Sequence, residues 1–415
     1  MIIFNDTLGV YGGSQTLMLR MCQWLSQNKI PAVVICRSAA NDEIVEKLRD
    51  CGTRIIPMDI RDAKKTGQLL RELQSQEDLC VVNFIWNYYL DMERVKTVAG
   101  LRFENIIYAI HPDTFKKGLR IRNPLLHEYA IRSYRRILQR MNDHGAVWMM
   151  DQDVLSATEA YLGIQLSPTP PIHALPMFCR ENPQAQEIIR DGFQSQTLMT
   201  ASRAEFPFKG YLLGLLDEFP RLKARYPELR LQMVAGGLEE DVEKIHAKIQ
   251  ALPEECRRSV DFHNWMDYDQ LRQEMTRCRL FIGMGTSVLD AALAYKPSIP
   301  VRYHTYEVNA EHLFSEAPRE LSARHSCTVS AVQVIQRVLE APFETYRAMC
   351  QDSFDRCREV YDMAPFMQEL IALSSQRQGS LLTWKERTRH HLNNRVNQIL
   401  RREQDPFDIQ KIKTE

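Results

Sequence analysis

The sequence predicts an α/β protein made of two open parallel sheets, with a helical C-terminal extension. Two observations carry this reading. Its apolar runs are short and continuous rather than alternating, as in strands buried on both faces. Stretches with helical spacing stand between those runs, so strand and helix alternate along the chain. A third observation divides the alternation in two: the Pro-rich stretch Ser167-Pro-Thr-Pro-Pro171 and the polar residues after it.

The first series opens with a strand at Met1–Asn5, the glycine turn Gly9-Val-Tyr-Gly-Gly13, and a helix from Ser14 to Asn28. Ala32–Cys36 is the second strand and Asp42–Cys51 a helix; Arg54–Met58 is a strand and Lys65–Gln74 a helix. Then come strand Leu79–Ile85, helix Tyr89–Val98 and strand Asn105–Ile110. The polar span Arg180–Gln196 has the composition of a linker. The second series runs strand Thr197–Ala201, helix Gly210–Tyr226, strand Arg230–Ala235, helix Glu240–Ala251, strand Val260–Phe262 and helix Asp267–Cys278. It closes with strand Leu280–Gly283, helix Ser287–Ala294 and strand Ser298–Val301, and the chain is helical beyond Ala331. The implied division is 1–180 for the first domain and 181–345 for the second. Helices at 346–375 would pack back on the first domain, and 376–415 would be a basic amphipathic helix and polar tail.

Composition sets the outer limits. Of 415 residues, 44% are apolar and 26% charged, which excludes wholesale disorder and a fibrous fold. The longest apolar run, Leu79–Leu90, contains Asn83 and Asn87 and falls short of the roughly 18 residues of a membrane span. Ten cysteines never form Cys-x-x-Cys, and Cys36 and Cys80 sit inside strand runs, as reduced buried thiols would. With no signal-peptide pattern at the N-terminus, the expectation is a cytoplasmic protein. Fifty-three basic and 53 acidic residues cancel, so the whole molecule has no polyanion-binding field. The balance is local, however. Residues 114–140 carry eight Lys or Arg against Glu128, and 377–402 carry seven against Glu386. The first reads as a solvated helix face or as a docking surface for anionic lipid, through Lys116, Lys117, Arg120 and Arg122. The second reads as an interfacial or a partner-binding helix. No nucleic-acid-binding module is present.

Four motifs carry candidate chemistry. Gly12 and Gly13 end a turn that follows the first strand and opens a helix, where free N–H groups favour anionic oxygen; a plain tight turn is the alternative. Arg203 and Lys209, in the loop after the first strand of the second series, offer a guanidinium fork and a point charge suited to a diphosphate. Gly283, Gly285, Thr286 and Ser287 form a glycine turn with hydroxyls at a helix start, a phosphate-receiving terminus or a simple cap. Asp290 lies in the same helix. His111 ends a strand, where imidazole can bond a sugar hydroxyl or move a proton. His and Cys are not clustered at metal-ligand spacing, so no metal and no cofactor is expected.

Together these segments resemble the retaining glycosyltransferases of the glycogen-synthase and phosphatidylinositol-mannosyltransferase type, which have two Rossmann-like domains facing a cleft, the GT-B fold. The resemblance spans residues 1 to about 365 and is strongest between 198 and 302. Ala201-Ser-Arg203 with Lys209-Gly210 matches the family's strand, Arg and Lys-Gly. Arg230–Gly237 is similar to its strand ending in Gly-x-Gly, with Gly236 on the donor side. Val260–Met266, containing His263 and Asn264, is similar to the segment whose backbone reads the nucleotide base. Gly12, Gly13 and His111 stand where the family has its glycine loop and cleft histidine. Phe281–Pro300 is similar to the family's block containing Glu, seven residues, then Glu, but here the two positions are Ile282 and Asp290. The second acidic residue contacts the nucleotide ribose in the family. The first helps hold the donor sugar, and Ile282 cannot.

The resemblance implies transfer of a sugar from a nucleoside diphosphate sugar to a hydroxyl with retention and without a metal, in a divergent bacterial polysaccharide or lipopolysaccharide enzyme. The acceptor would be lipid-linked or a saccharide, reached by peripheral contact with the inner membrane face. Two rivals stand beside it: a catalytically silent scaffold subunit, and a sugar-nucleotide epimerase on the same fold.

Overall fold

Continuously apolar strands must be covered on both faces, and in the computed structural model of the chain they are. Described are residues 1–8, 13–37, 39, 41–116, 124–324, 326–383, 385–388 and 390. The chain forms two units, one comprising Met1–Pro176 and the chain from Ala364 onward, the other Met177–Met363.

The first unit is a six-stranded parallel sheet in the order β3-β2-β1-β4-β5-β6. Its strands are β1 (Ile2–Asn5), β2 (Ala32–Cys36), β3 (Arg54–Pro57), β4 (Cys80–Asn83), β5 (Glu104–Ala109) and β6 (Val147–Met149). Its helices are α1 (Gly13–Gln27), α2 (Asp42–Asp50), α3 (Ala63–Gln74), α4 (Trp86–Ala99), α5 (Pro124–Asp143) and α6 (Gln152–Leu162). Every residue of β1, β2, β4 and β5 is buried. Asn41 and Asp151 cap α2 and α6, each accepting a backbone N–H through its side chain. Successive crossovers run outward from β1 through β2 to β3, then restart at β4 on its other side. The order therefore reverses between β1 and β4, and that gap is the unit's topological switch point.

Expected as a basic, solvated or docking face, the 114–140 segment is mostly helix α5, with Ala130, Ile131, Tyr134, Ile137, Leu138 and Met141 buried. Arg132 and Arg136 face solvent, whereas Arg135 donates to the Leu162 carbonyl and Arg140 pairs with Glu386 at 2.9 Å. Two of its cations thus brace the unit internally.

The C-terminal segment is part of this core. Leu381 and Leu382 pack into the same cluster as Trp86, Ile107 and Leu138. Glu93, fully buried, accepts the Leu381 N–H through one oxygen. Its other oxygen takes Asn105 at 2.9 Å and Lys96 at 3.1 Å. From Asn105 a chain of side-chain amides continues through Asn83 (2.8 Å) to Asn5 (2.9 Å), linking β5, β4 and β1. Such a buried polar chain is tolerable because its members satisfy one another. The described part of the expected amphipathic tail is therefore docked; residues 391–402 lie outside the described residues.

The second unit repeats the architecture with five parallel strands in the order β11-β10-β7-β8-β9. These are β7 (Thr197–Ala201), β8 (Arg230–Val234), β9 (Val260–His263), β10 (Leu280–Gly283) and β11 (Ser298–Pro300). The span expected to be a linker instead holds helix α7 (Ala185–Gln194), whose Ile189 is fully buried in the unit's core. Its polar composition belongs to the outward faces of the helix. Helices α8 (Tyr211–Arg225), α9 (Glu239–Gln250), α10 (Glu254–Arg258), α11 (Tyr268–Arg277) and α12 (Thr286–Leu293) follow the strands. Leu212, Leu215, Leu216, Phe219 and Leu222 put a stripe of α8 into the core, each worth about 1.5–3 kcal/mol when fully buried. Beyond β11 come α13 (Val332–Leu339) and α14 (Phe343–Tyr361). The boundary expected at 345 falls inside α14, which stays with the second unit because Tyr346, Cys350 and Phe354 are in its core. Helix α15 (Met363–Ser374) belongs to the first unit from Ala364 onward, where Phe366 packs on Tyr108 and Trp148.

Candidate functional site

In the second unit the strand order reverses between β7 and β10, so the loops leaving those two strands flank its switch point, where open α/β sheets bind ligands. The loop from β7 to α8 holds Arg203 and Lys209. Arg203 is exposed and its Nη2 donates to Glu205 at 2.6 Å. Lys209 is half-buried, and among the described residues its ammonium has no hydrogen-bond or ion-pair partner. Burial, then the Arg203 charge, pushes the lysine down to about 8 from its ordinary 10.5, with Glu205 opposing. A desolvated cation short of counterions is what an anion would find here. Gly210 and Gly214 let this loop and α8 lie against residues 305–307: a Cβ on either would stand 2.5 or 2.3 Å from a carbonyl oxygen of that segment.

From β10 the chain turns through Gly283, Met284 and Gly285 into α12. Gly285 has φ 69° and ψ −142°, a conformation closed to L side chains. Helix α12 has no side-chain cap. The structure corrects one expectation. The Gly285 N–H is not offered to a ligand, because it donates to the Leu321 carbonyl at 2.7 Å. Nor is the Ser287 hydroxyl, which donates back to the Met284 carbonyl at 3.0 Å. What the turn presents are the first amides of α12, at Thr286 and Ser287, with the positive end of the helix dipole. Ile282 is fully buried within β10, so the position of the family's first Glu belongs to the core.

Asp290 is one helical turn further along α12 and 7% exposed. Its Oδ1 accepts from the Tyr268 hydroxyl at 2.8 Å. Gly236 has a packing reason for being glycine: a Cβ there would sit 2.2 Å from the Asn264 carbonyl oxygen, and on Gly237 2.3 Å from that of Ala204. These contacts join the ends of β7, β8 and β9, as does the Ala204 N–H donated to Gly236 at 2.7 Å. His263 Nε2 lies 3.1 Å from Asp261, and Asn264 is exposed. The residue after it, Trp265, is 70% exposed, an unusual placement for a large aromatic. The sequence pattern did not single out Trp265, two residues past β9, or Tyr268, next to the N-cap Asp267, although aromatics between a strand end and a helix start were a readable signal.

In the first unit Gly13 is the first residue of α1, and His111 lies just past β5. The Asp113 N–H donates to His111 Nδ1 at 3.0 Å, so a neutral ring carries its proton on Nε2 and acts there as a donor. Lys116 is exposed and 3.8 Å from Asp113. Gly12, Lys117, Arg120 and Arg122 lie outside the described residues. Asp6, at the carboxyl end of β1, is buried, and burial raises its carboxyl to about 7 against the Thr7 N–H and the Ser14 hydroxyl. A groove of about 400 Å³ between α7 and α11, lined by Glu187, Asp191, Arg272 and Arg277, is not at the strands' carboxyl edge and holds none of the predicted residues.

No known family profile matches the chain, and no curated protein does. Solved structures resemble it over nearly its whole length. Anabaena HepE in complex with UDP and glucose is similar at a TM-score of 0.62 and 13% identity, over 89% of this chain and 98% of that one. A glycosyltransferase from Rickettsia africae ESF-5 is similar at 0.65 and 10%, over 90% and 97%. An α,α-trehalose-phosphate synthase (UDP-forming) from Burkholderia vietnamiensis is similar at 0.54 and 10%, over 90% and 99%. At these identities the likeness shows the fold, two parallel α/β sheet units of the GT-B kind.

Proposed function

We propose that this chain is a glycosyltransferase that moves a sugar from a nucleoside diphosphate sugar to a hydroxyl, with retention at the anomeric carbon. One observation carries the reading: a two-cation loop and a glycine turn opening a helix leave adjacent strands, β7 and β10, at the switch point. That HepE was solved with UDP and glucose supports a uridine donor. Sugar transfer leaves an anionic diphosphate, so stabilising charge there is the largest catalytic task. Arg203 supplies two parallel N–H donors, Lys209 a close point charge, and the Thr286 and Ser287 amides a fixed dipole. These groups do the work without a metal. Asp290 takes the ribose, as the resemblance implies. His111, protonated at Nε2, donates to a hydroxyl of the sugar or acceptor. The departing phosphate takes the acceptor's proton, which is consistent with retention. The acceptor is lipid-linked or saccharide, in cell-surface polysaccharide or lipopolysaccharide synthesis, and Lys116 with the cations after it contacts the inner membrane face.

A thermal-shift screen of uridine, guanosine and adenosine diphosphate sugars is the first test, since a ligand of the folded state raises apparent stability. Product release from the donor that binds follows, in the wild type and in Arg203→Ala and Lys209→Ala, each expected to lower turnover at least 100-fold. A flat screen across all three bases would sink the proposal. A second reading, a catalytically silent scaffold, is favoured by Ile282 in the strand core. Binding of a nucleotide sugar with neither transfer nor hydrolysis would select it.

A further inference from the structure

The ordering of the second unit's loops points to a residue that acts through Asp290. We propose that Tyr268 is a positioning residue for nucleotide recognition, holding the Asp290 carboxylate where it reads the ribose; this rests on the nucleotide-binding reading above. Tyr268 is the first residue of α11, and the start of that helix is fixed by Asp267, whose carboxylate accepts the Asp269 and Gln270 N–H groups at 3.1 and 2.9 Å. The Arg272 guanidinium, one turn on, lies 5.9 Å from the phenol ring centroid and restrains it further. From this fixed base the hydroxyl donates to Asp290 Oδ1 at 2.8 Å. A phenol–carboxylate bond is charge-assisted and strong where water is scarce, and Asp290 is nearly buried.

The place of the pair matters as much as its bond. Asp290 follows Thr286 by one turn of α12, at the end assigned to phosphate. Tyr268 follows Asn264 and Trp265 by a few residues, at the end assigned to the base. Ribose is the part of a nucleoside diphosphate that joins those two ends. The Tyr268–Asp290 bond joins the same two loops. An Asp is one methylene shorter than the Glu of the resembling family, so its carboxylate has less reach and depends more on being held. Tyr268 does that holding, and ties the base-side helix to the ribose-side carboxylate.

The experiment compares UDP with 2′,3′-dideoxy-UDP by titration calorimetry on the full chain, in the wild type, Tyr268→Phe, Asp290→Asn and the double variant. The wild type is expected to prefer UDP by at least about tenfold, the worth of a hydrogen bond to a charged group. In Tyr268→Phe that preference falls to within about twofold, while affinity for the dideoxy compound is unchanged. The double variant shows no further loss of that preference beyond Asp290→Asn alone, because Tyr268 bears on the ribose through Asp290. A merely structural tyrosine would weaken both ligands alike. Full wild-type preference in Tyr268→Phe overturns the assignment and leaves nucleotide binding standing. Should Tyr268→Phe fail to fold, an undiminished preference in Asp290→Asn overturns it equally. A wild type that binds neither UDP nor its dideoxy analogue, while folded, overturns the nucleotide reading itself.

Discussion

Lys209 shows what a single side chain contributes. With its ammonium depressed to about 8 by burial, it is charged at neutral pH but begins to lose its proton just above it. Diphosphate binding favours the charged form, so affinity for UDP is expected to weaken as pH rises above 8, by up to tenfold per unit. Lys209→Arg should flatten that profile to pH 10, since guanidinium stays charged. Calorimetric titrations at pH 7, 8, 9 and 10 would show it, and an unchanged wild-type affinity across them would count against Lys209 meeting the anion. The sign for folding is opposite. The unfolded chain keeps this proton up to about 10.5, so the group adds stability as pH rises between 8 and 10.5. The loop that holds Arg203 and Lys209 was legible in the sequence because it runs from a strand end to a helix start. The bond between Tyr268 and Asp290 was not, since it joins two helices and no local spacing encodes it. Gly236 was legible as a special position but for another reason, closeness to the Asn264 carbonyl rather than to a ligand.

At the scale of elements, α7 is where composition misled. Its polar residues outnumber its apolar ones, yet Ile189 and Gly192 are buried and Ala185, Ile188 and Phe193 pack against the core. The partner that makes it a helix of the core lies far along the chain. Lys296 is fully buried, with its Nζ donating to the Ile188 carbonyl at 2.8 Å, and a Cβ on Gly192 would come within 2.2 Å of that Nζ and 2.7 Å of the Tyr346 hydroxyl. Gly192→Ala is therefore expected to destabilise the second unit by about 1–3 kcal/mol, read as a lower denaturant midpoint with an unchanged slope. An unchanged midpoint would mean the neighbours yield freely. Limited proteolysis offers a separate check: a linker would be cut between 185 and 194 early, whereas a packed helix resists. The central strands, by contrast, were legible because burial on both faces leaves a mostly apolar run, whereas the edge strands β3 and β9 are partly exposed and carry polar residues. Short β6 was the exception: its three residues sit in the apolar run 146–150, which is too brief to mark a strand by itself.

For the molecule as a whole, the division into units could be read only in part. The Pro-rich stretch marked the first crossing, between Pro176 and Met177. The return at Ala364 carried no such punctuation, because it runs from α14 almost directly into α15. Nor does the basic composition after 376 reveal that Leu381, Leu382 and Glu386 are docked on the first unit. A chain ending at Gly379 would leave Glu93 without its Leu381 donor and remove two buried leucines, a loss of about 2–5 kcal/mol for each leucine. Its calorimetric trace should show the first unit melting earlier while the second keeps its own transition; equal transitions in both chains would mean the segment adds nothing to that core.

The same return has a consequence for birth of the protein on the ribosome. The sheet of β1 to β6 is synthesised first, yet the buried carboxylate that terminates its chain of asparagines waits for Leu381. Roughly two hundred residues separate Pro176 from that leucine, on the order of 10–40 s of translation. During that interval the second unit, continuous in sequence, emerges and can close on itself. The earlier-made unit stays unfinished, its seam for Leu381 and Leu382 still uncovered, and so the part of the chain made first is the part completed last.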